Sequence, residues 1–443
     1  MQTPDYNRAN ALAPEMPPLR IALVGYRSHP HVGGQGVYIK QLATVLHQLG
    51  HTVTVISGPP YPELPSGVAL IKLPSLNLYE VPNHVTALRF QHLASFADVY
   101  EWWSMLTGGF AEPYCFGRRL KQYLKKHPDR FDVIHDNQSL CSALLQLEIP
   151  TIATLHHPIT RDRDHAVASA SNWLHRWGAK RWYSFLTMQA RVTRQLPHVI
   201  TVSQVSRQDI AACFGRPEDQ THVIFNGIDT SLFQPLAHIQ KQPNQLITTC
   251  SSDQPLKGFK VLLDAYAELL AQHPELQLTV IGKLQADGTS EKHLRALKLE
   301  QRVVFRSGLS DQEMVEAYCA AGLFICPSLY EGFGLPAAEA MSCGTAVIVT
   351  DGGALPEVVG DAGIVVSAGD ANALASAINQ LLVDPTRRRQ LETLGRERAY
   401  RVLSWGKVAD EYIALYRSLI AEHNNNGLDI SNSNTSKKRL EAV

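Results

Sequence analysis

The sequence predicts an α/β protein of two doubly wound domains, each built on a parallel sheet, with a cleft between them. Three observations predict this fold class. Short apolar runs alternate with segments whose apolar residues recur at helical spacing, the pattern of strand–helix–strand units. This alternation occurs twice, on either side of a polar, proline-bounded stretch at residues 235–245. The chain has 443 residues, 45% of them hydrophobic, which is enough for two separate cores.

The first strand–helix–strand unit follows a short polar stretch. The run "LRIALVGY" at Leu19–Tyr26 is continuous and apolar, as buried strands are. The next segment has helical spacing and ends at Gly50, a helix stop signal, before the strand-like "TVTVISG" at Thr52–Gly58. Further strands of this half are predicted at Val68–Leu73, Asp132–His135, Thr151–Leu155, His198–Val202 and Thr221–Phe225.

The second half repeats the alternation and sets the domain boundaries. Residues 1–18 are polar and proline-rich and are expected to form a loose leader. We expect the first domain at 19–234, the linker at 235–245 and the second domain at 246–403. Strands of the second domain are predicted at Leu246–Ser251, Leu276–Ile281, Arg302–Phe305, Leu323–Cys326, Thr345–Thr350 and Gly363–Val366.

The chain ends in a helical segment and a polar tail. The helical pattern covers residues 404–422. Residues 423–443 are rich in Asn and Ser, a composition that predicts disorder because it offers little apolar surface to bury.

Composition excludes several classes of protein. There are 41 basic and 41 acidic residues, so a charge-driven nucleic-acid binder is disfavoured. The seven cysteines are odd in number and form no CxxC pair, which fits a reducing cytosol. No secretory signal is visible, and no apolar run approaches the roughly 20 residues of a spanning helix. We therefore expect a cytoplasmic protein, with membrane association left open.

The most informative stretch is "PSLYEGFGLPAAEAMSCGTAVIVTDGGALPEVVG", which begins where a strand ends. It has a glycine-rich turn with Glu331, Gly332 and Gly334, then Pro336 at a helix start and Glu339 inside that helix. Both carboxylates are expected at the ligand-binding edge of the sheet, next to a helix N-terminus that suits phosphate. Taken alone, such a pair is more often two solvated acids.

A second helix start of the same half carries Lys257. The segment "SSDQPLKGFKVLLDAY" places Lys257 and Gly258 shortly after a strand that ends at Ser251. The GxxxxGK[ST] pattern of a P-loop is absent. Two helix starts and one lysine at the same sheet edge would suit a diphosphate, although a lone lysine there is more often a surface residue.

Two loops of the first half could also reach the cleft. The loop His31–Gly36 contains Gly33 and Gly34, which could admit a ligand but do not fit the GxGxxG dinucleotide spacing. His156 directly follows a buried strand in "TLHHP", although a lone histidine there is more often a hydrogen-bonded core residue. We expect no metal, because no metal-ligand spacing is present in the nearby set His156, His157, Asp162, Asp164 and His165.

Two aromatic stretches of the first half allow alternative interpretations. One pairs Trp173 and Trp177 with Arg176 and Lys180 at helical spacing, and "EWWSMLTGGF" at Glu101–Phe110 is the other. Either could contact a membrane peripherally or form a wall of an acceptor site. Packing over the first domain, with the basic groups reaching solvent, is the more ordinary alternative.

In this order, the motifs resemble glycosyltransferase family 4. The set consists of a glycine loop with GxxxY and a following GH, T-x-H after an inner strand, "VS…NGID…F", K-G after the first strand of the second half, and two glutamates eight positions apart. The resemblance covers about Leu19 to Ile420. It implies the GT-B architecture, in which two Rossmann-like domains form a cleft, the second domain holds the donor, and the final helix crosses back to the first domain.

The resemblance also implies roles for individual residues. The loop that carries Glu331, here called the donor loop, would contact the donor, and the first domain would contribute the acceptor side. Glu331 would bind hydroxyls of the donor sugar, Glu339 would bind the ribose, and Lys257 would bind the leaving diphosphate. The sugar and phosphate would also contact the backbone of Phe333, Gly334 and Leu335. From the acceptor domain, His156 would contact the donor sugar.

The implied reaction is retaining transfer from a nucleotide-diphosphate sugar, with UDP-sugar favoured, to a hydroxyl of a glycan, lipid-linked or small-molecule acceptor. The leaving phosphate could take the acceptor proton, so no enzymic nucleophile is nominated. Preorganised N–H groups and Lys257 would stabilise the developing charge, so neither a metal nor a cofactor is required in principle.

One departure from the family pattern keeps other functions open. The family usually has an arginine five residues before the lysine, where this chain has Ser252. Arg306 or Lys283 could supply the missing charge. The alternatives are a non-catalytic subunit that binds nucleotide sugar or glycan, a sugar-nucleotide epimerase and a phosphorylase. A nicotinamide oxidoreductase is disfavoured, because neither glycine loop has the required spacing.

Overall fold

Two parallel sheets form the framework of the protein. The computed structural model describes residues 16–30, 34–80, 83–251 and 254–440, without the side chains of residues 161, 165, 251 and 426–440. Every predicted strand overlaps an observed one, so the predicted fold class is confirmed. The strands are β1 Arg20–Gly25, β2 Thr52–Ser57, β3 Ala69–Lys72, β4 Val133–Asn137, β5 Thr151–Thr154, β6 His198–Thr201, β7 Thr221–Val223, β8 Gln242–Ser251, β9 Gln277–Lys283, β10 Val303–Arg306, β11 Ala321–Cys326, β12 Ala346–Thr350 and β13 Ile364–Val366.

Helices cover both faces of the two sheets. The first sheet has the order β3-β2-β1-β4-β5-β6-β7 and the second the order β10-β9-β8-β11-β12-β13. The helices are α1 Gln35–Gln48, α2 Phe96–Leu106, α3 Glu112–Lys125, α4 Thr160–Ala168, α5 Trp173–Trp182, α6 Phe185–Gln195, α7 Gln204–Phe214, α8 Phe259–Leu269, α9 Thr289–Ala296, α10 Asp311–Ala320, α11 Leu335–Ser342, α12 Leu355–Val359, α13 Ala371–Val383, α14 Pro385–Val402 and α15 Trp405–Leu440.

The continuous apolar runs of the sequence become strands that are buried on both faces. In β1, Ala22 and Val24 belong to the core on one side of the sheet, and Ile21 and Leu23 belong to the core on the other. Successive side chains of a strand point to opposite faces, so an unbroken apolar run supplies both cores. In each sheet the order of strands reverses beside its first strand, and ligands of such folds bind at that edge.

The second domain begins earlier than the predicted linker allows. Strand β8 starts at Gln242, inside the stretch predicted as linker. It pairs with β11 from its first residue, and a Cβ on Gly322 would lie only 2.3 Å from the carbonyl oxygen of Pro243. The glycine on the partner strand thus accommodates a proline that had suggested a break. Leu236 and Ile239 of the same stretch pack against the second core.

The last helix belongs to the core of the first domain. Helix α15 extends to Leu440, past residue 422, where the helical pattern of the sequence was expected to end and a disordered tail to begin. Its buried residues Trp405, Tyr412 and Tyr416 join the cluster under β1 and α1. The last residues of the helix in this cluster are Leu419 and Ile420, so packing on the first domain stops close to the predicted end.

None of the helices in the part of the chain that the structure describes has the length and apolar character of a membrane span.

The two domains meet through short polar contacts. The Glu357 carboxylate of α12 accepts hydrogen bonds from the backbone N–H groups of Gln204, at 2.6 Å, and Val205, at 2.9 Å. These are the first residues of α7, where unpaired N–H groups create positive potential that a carboxylate stabilises. At the chain crossing, the Ile228 N–H donates to the carbonyl oxygen of Leu403 at 2.6 Å.

Candidate active site

The loop between β11 and α11 is held rigidly in the cleft. The backbone at Glu331 pairs with Gly353 in an isolated bridge. Gly334 has φ +97°, a left-handed conformation that favours glycine, and a Cβ there would lie 2.5 Å from a methyl group of Leu355. Helix α11 then begins at Leu335, with Pro336 in its first turn. The loop therefore approaches the helix N-terminus along a path that only glycine permits.

Lys257 and Glu331 form an ion pair at this edge of the sheet. The Lys257 ammonium lies 3.0 Å from Glu331 Oε1 and 2.9 Å from Oε2. Gly258 allows the close approach, since its φ is +63° and a Cβ there would lie 1.9 Å from the carbonyl oxygen of Pro327. The two residues are 74 positions apart, and the fold brings them together because β8 and β11 are neighbouring strands.

Glu339 lies in a different electrostatic environment. It lies inside α11, and the Tyr318 hydroxyl donates a hydrogen bond to its Oε2 at 3.1 Å. Burial raises the pKa of Glu339 to about 7 and outweighs the effect of that hydrogen bond, which favours the ionised form. Near neutral pH this carboxyl therefore exists in both protonation states.

His156 faces the cleft from the first domain as a neutral imidazole. Its Nε2–H donates to Asn137 Oδ1 at 2.8 Å, and its backbone N–H donates to Gln138 Oε1 at 3.0 Å. The Tyr38 ring packs edge-on against the imidazole, with ring centroids 4.7 Å apart. Burial, followed by the neighbouring His157, lowers the pKa of His156 to about 3. Its Nδ1 therefore keeps a lone pair at neutral pH.

A strained loop holds the two histidines in place. Gln138 follows β4 with φ +56°, which is unfavourable for a residue that has a Cβ. The Gln138 side chain donates from Nε2 to the carbonyl oxygen of His157 at 3.1 Å. The Gln189 side-chain amide in turn donates to the backbone carbonyl oxygen of Gln138 at 3.2 Å. The loop is thus fixed from both sides.

His157 lies close to the loop between β11 and α11, a contact that no motif of the sequence predicted. A Cβ on Gly332 would be 3.9 Å from His157 Nδ1, and the Ser203 hydroxyl donates to the Gly332 carbonyl oxygen at 3.4 Å. The side chain of His157 is exposed, but desolvation by the surrounding residues lowers its pKa, and the charges of Asp162, Asp209 and Glu331 act in the opposite direction. The only sequence signal for this residue was its place beside His156.

A buried polar network joins the last helix to this side of the cleft. The hydroxyls of Tyr38 and Tyr412 lie 2.5 Å apart. His135 Nδ1 and Nε2 each lie 2.6 Å from a hydroxyl oxygen, of Tyr416 and Thr154 respectively. Burial lowers the pKa of His135 to about 3, so the network is uncharged. Tyr38 thus touches both His156 and the last helix.

Other predicted site residues have different surroundings. Gly34 caps α1 with φ +73°, whereas Gly33 and Ser252 lie outside the described residues. The Phe333 side chain is buried, with its ring centroid 5.9 Å from that of Phe225, so its backbone alone can face a ligand.

Of the two cations that could replace the missing arginine, Lys283 is the nearer to the end of β8. It stands opposite Ser251 in the β8–β9 register, whereas Arg306 lies on β10, one strand further away. In the part of the chain that the structure describes, no three His, Cys, Asp or Glu side chains could hold a metal ion together.

We predict that Glu339→Gln makes stability less dependent on pH. An acid whose folded pKa is raised from 4.5 to about 7 destabilises the fold progressively as the pH rises through this interval. The amide keeps the hydrogen bond from Tyr318 and removes the titration. The variant should therefore be more stable than wild type at pH 8, by up to about 3 kcal/mol, and similar at pH 5. Chemical denaturation at both pH values measures this difference in the free energy of unfolding.

Glu397→Gln on the exposed face of α14 is the control for this experiment. An equal pH dependence of wild type and Glu339→Gln would contradict the prediction.

We predict that Tyr412→Phe destabilises the fold by about 1–3 kcal/mol, because the Tyr38 hydroxyl loses its partner in a buried position. Removal of both hydroxyls in Tyr38→Phe with Tyr412→Phe should cost less than the sum of the single changes, because neither hydroxyl then stays buried alone. Urea unfolding of the four proteins gives the coupling. The exposed Tyr400→Phe serves as the control, and strictly additive losses would be inconsistent with a direct hydroxyl contact.

Comparison with known proteins gives the family. The model "Glycosyltransferase Family 4" matches residues 32–232, and the model "Glycosyl transferases group 1" matches residues 237–398. A protein of Mycolicibacterium hassiacum described as "MMP alpha-(1->4)-mannosyltransferase" is 43% identical over 410 residues, which cover 91% of this chain and 99% of that protein.

Solved structures agree on the fold. A sucrose-phosphate synthase of Thermosynechococcus elongatus matches with a TM-score of 0.67 and 25% identity, over 91% of this chain and 99% of that one. HepE of Anabaena, solved with UDP and glucose, matches with a TM-score of 0.64 and 17% identity over 90% and 100% of the two chains, which supports the fold alone. Matches to both halves and the high identity to a full-length relative show that this chain belongs to glycosyltransferase family 4, with the GT-B architecture.

Proposed function

We propose that this protein is a retaining glycosyltransferase that moves a hexosyl group from a nucleotide-diphosphate sugar to an acceptor hydroxyl. The hexosyl group that we propose is mannosyl. The observation that carries the proposal is the juxtaposition across the cleft. The second domain presents the Lys257–Glu331 ion pair and Glu339 beside a helix N-terminus, and the first domain presents His156 and His157 opposite them.

The donor would lie along the second domain. Its diphosphate would receive hydrogen bonds from free N–H groups at the start of α11 and charge from Lys257. Glu339, inside the same helix, would accept hydrogen bonds from the ribose hydroxyls. Glu331 would bind hydroxyls of the sugar, which would then lie between Gly332 and the histidines of the first domain.

In the proposed reaction, the bond from the anomeric carbon to the diphosphate oxygen breaks while the acceptor oxygen attacks from the same face. Negative charge develops on the leaving diphosphate, where Lys257 and the N–H groups stabilise it. The acceptor proton passes to the leaving phosphate oxygen, so no basic side chain is required. The neutral His156 would accept a hydrogen bond from a sugar hydroxyl at Nδ1 and would keep water out of the cleft.

The identity of the transferred sugar is proposed from the relative in Mycolicibacterium hassiacum. Its name specifies mannosyl transfer and an alpha-(1->4) product. An α product formed from an α-linked sugar nucleotide means retention of configuration. The base of the nucleotide stays a prediction, with UDP favoured, and the acceptor is a glycan, a lipid-linked sugar or a small polar molecule.

The Lys257 contact generates the first test. Melting temperatures are measured with UDP, GDP, ADP and their common sugars on wild type, Lys257→Ala and the control Lys260→Ala, an exposed lysine three positions further on. One base should stabilise wild type and the control, by about 2.7 kcal/mol at a hundredfold excess over Kd, and stabilise Lys257→Ala much less. No stabilisation by any nucleotide would contradict the donor site.

Turnover then separates the remaining functions. With the donor so identified, wild type should transfer the sugar to a saccharide, and the product should keep the anomeric configuration in its proton NMR spectrum. Donor binding without turnover would favour the non-catalytic subunit. Conversion of the donor without an acceptor would favour the epimerase.

We also propose a peripheral membrane contact through α5. Trp173 is 78% exposed and Trp177 is 55% exposed, and no residue of this helix is buried. Arg176 and Lys180 lie on the same helix, a combination of aromatic and basic residues that suits an anionic lipid surface.

Vesicle binding tests this contact. Trp173→Ala with Trp177→Ala should reduce co-sedimentation with phosphatidylglycerol vesicles by several-fold, because both rings would lose their place in the headgroup region. Leu394→Ala, an exposed apolar residue of the second domain, is the control. Equal sedimentation of all three proteins would count against the contact.

A further inference from the structure

An aromatic group lies at the first-domain side of the cleft and takes no part in the site described above. It begins with Tyr26, directly after β1, whose ring centroid is 6.2 Å from that of Phe110. Phe110 lies 5.2 Å from Trp182 at the end of α5, and Tyr79 lies 6.2 Å from Trp182 and 6.4 Å from Phe110. Since β1 ends at the ligand-binding edge of its sheet, this group starts at that edge and continues away from it.

Tyr79 is the open member of this group, and its loop is held firmly. Its side chain is 60% exposed, whereas Phe110 is buried. The Arg27 guanidinium stacks 4.8 Å from the Tyr79 ring centre and pairs with Glu80 at 2.9 Å and Glu112 at 3.0 Å. Both Arg27 and Glu112 are largely shielded from water, so the loop is tied to the domain by an inner ion-pair cluster. The exposed ring is therefore presented in one place.

The polar groups beside the ring fit hydroxyls better than charges. Arg27 pairs with both Glu80 and Glu112, which leaves a net negative charge that disfavours an anionic ligand, and the Asn77 amide donates to the second oxygen of Glu80 at 2.8 Å. An aromatic face attracts the positive edge of C–H bonds, the Asn77 amide at its rim can donate and accept hydrogen bonds, and the Glu80 carboxylate accepts them. The negative charge of the Glu80 carboxylate would repel an anionic lipid headgroup at this position.

Electrostatic interactions accompany the placement of this group beside the histidines of the first domain. Tyr183, next to Trp182, lies close enough to Tyr79 and Asp162 for both to add to the increase in its pKa that burial causes. Asp162 likewise acts on His157, and so does Glu331 of the donor loop. Because Tyr26 follows β1, and His156 and His157 follow the parallel strand β5 of the same sheet, the aromatic group and the two histidines start from the same edge of the first domain.

We infer that Tyr79, backed by Trp182, is a platform on which a sugar ring of the acceptor stacks, and that the acceptor is a neutral saccharide. This inference rests on the proposed function, because it assigns the acceptor side of the same cleft. The ring face of a hexopyranose covers Tyr79, and its hydroxyls reach Asn77 and Glu80. The reacting hydroxyl then extends toward His157 and the donor sugar.

The test measures saccharide binding separately from donor binding. Titration calorimetry with an α-(1→4)-linked mannotetraose is carried out on wild type, Tyr79→Ala, Tyr79→Phe and Phe90→Ala. Phe90 is 93% exposed on the same domain but outside the platform. We expect Tyr79→Ala to weaken saccharide binding about ten-fold, Tyr79→Phe to change it less than two-fold, and Phe90→Ala to leave it unchanged.

The donor provides the control for folding and for the proposed function. Stabilisation by the nucleotide sugar should be the same in wild type and Tyr79→Ala, because the platform makes no donor contact. If no nucleotide stabilises wild type, the proposed function fails irrespective of the saccharide result. If the donor binds, two results overturn the platform: no saccharide binding by wild type, or equal saccharide affinity of wild type and Tyr79→Ala. A loss of binding to phosphatidylglycerol vesicles in Tyr79→Ala would also overturn it and assign the loop to a lipid surface.

Discussion

The candidate site depends on how the loop between β11 and α11 is held against the first domain. The loop is anchored beside the helix α7 by the Tyr330 hydroxyl, which donates to Asp209 at 2.6 Å, and by the contact of Ser203 with Gly332. Glu357 reinforces the same junction by accepting the first N–H groups of that helix. These contacts lie within one stretch of each domain, so a small change in domain orientation would displace Glu331 relative to His157. The geometry of the cleft is therefore a property of the interface between the domains.

Burial distributes charge unequally across the cleft. It keeps His156 neutral and raises the pKa of Glu339 to about 7, whereas Lys257 and Glu331 form an ion pair that is partly open to water. The paired Lys257 and the neutral His156 suit the proposed reaction, in which negative charge develops on the leaving diphosphate. This division follows from desolvation, which penalises an isolated charge more than a paired one.

The last helix connects the two domains through packing and through buried hydrogen bonds. It leaves the second domain at Trp405, which packs so closely on Gly227 that a Cβ there would lie 2.2 Å from the indole. Its tyrosines then complete a buried network with residues of the first sheet, and one member of that network, Tyr38, packs against His156. A helix that is distant in sequence thereby supports a histidine at the cleft.

The sequence by itself determined the two parallel sheets and the placement of Lys257 and Glu331 at one edge of the second. Periodicity, glycine turns and helix starts are local signals, and strand ends in a parallel sheet meet at one edge, so Lys257 and Glu331 could be placed together without coordinates. Only the tertiary structure decided that His157 faces Gly332, that desolvation raises the pKa of Glu339, and that Tyr38 meets Tyr412, which is 374 positions away. It also moved the start of β8 into the predicted linker, because a glycine on the neighbouring strand accommodates Pro243. These features depend on packing between distant segments, which no local pattern encodes.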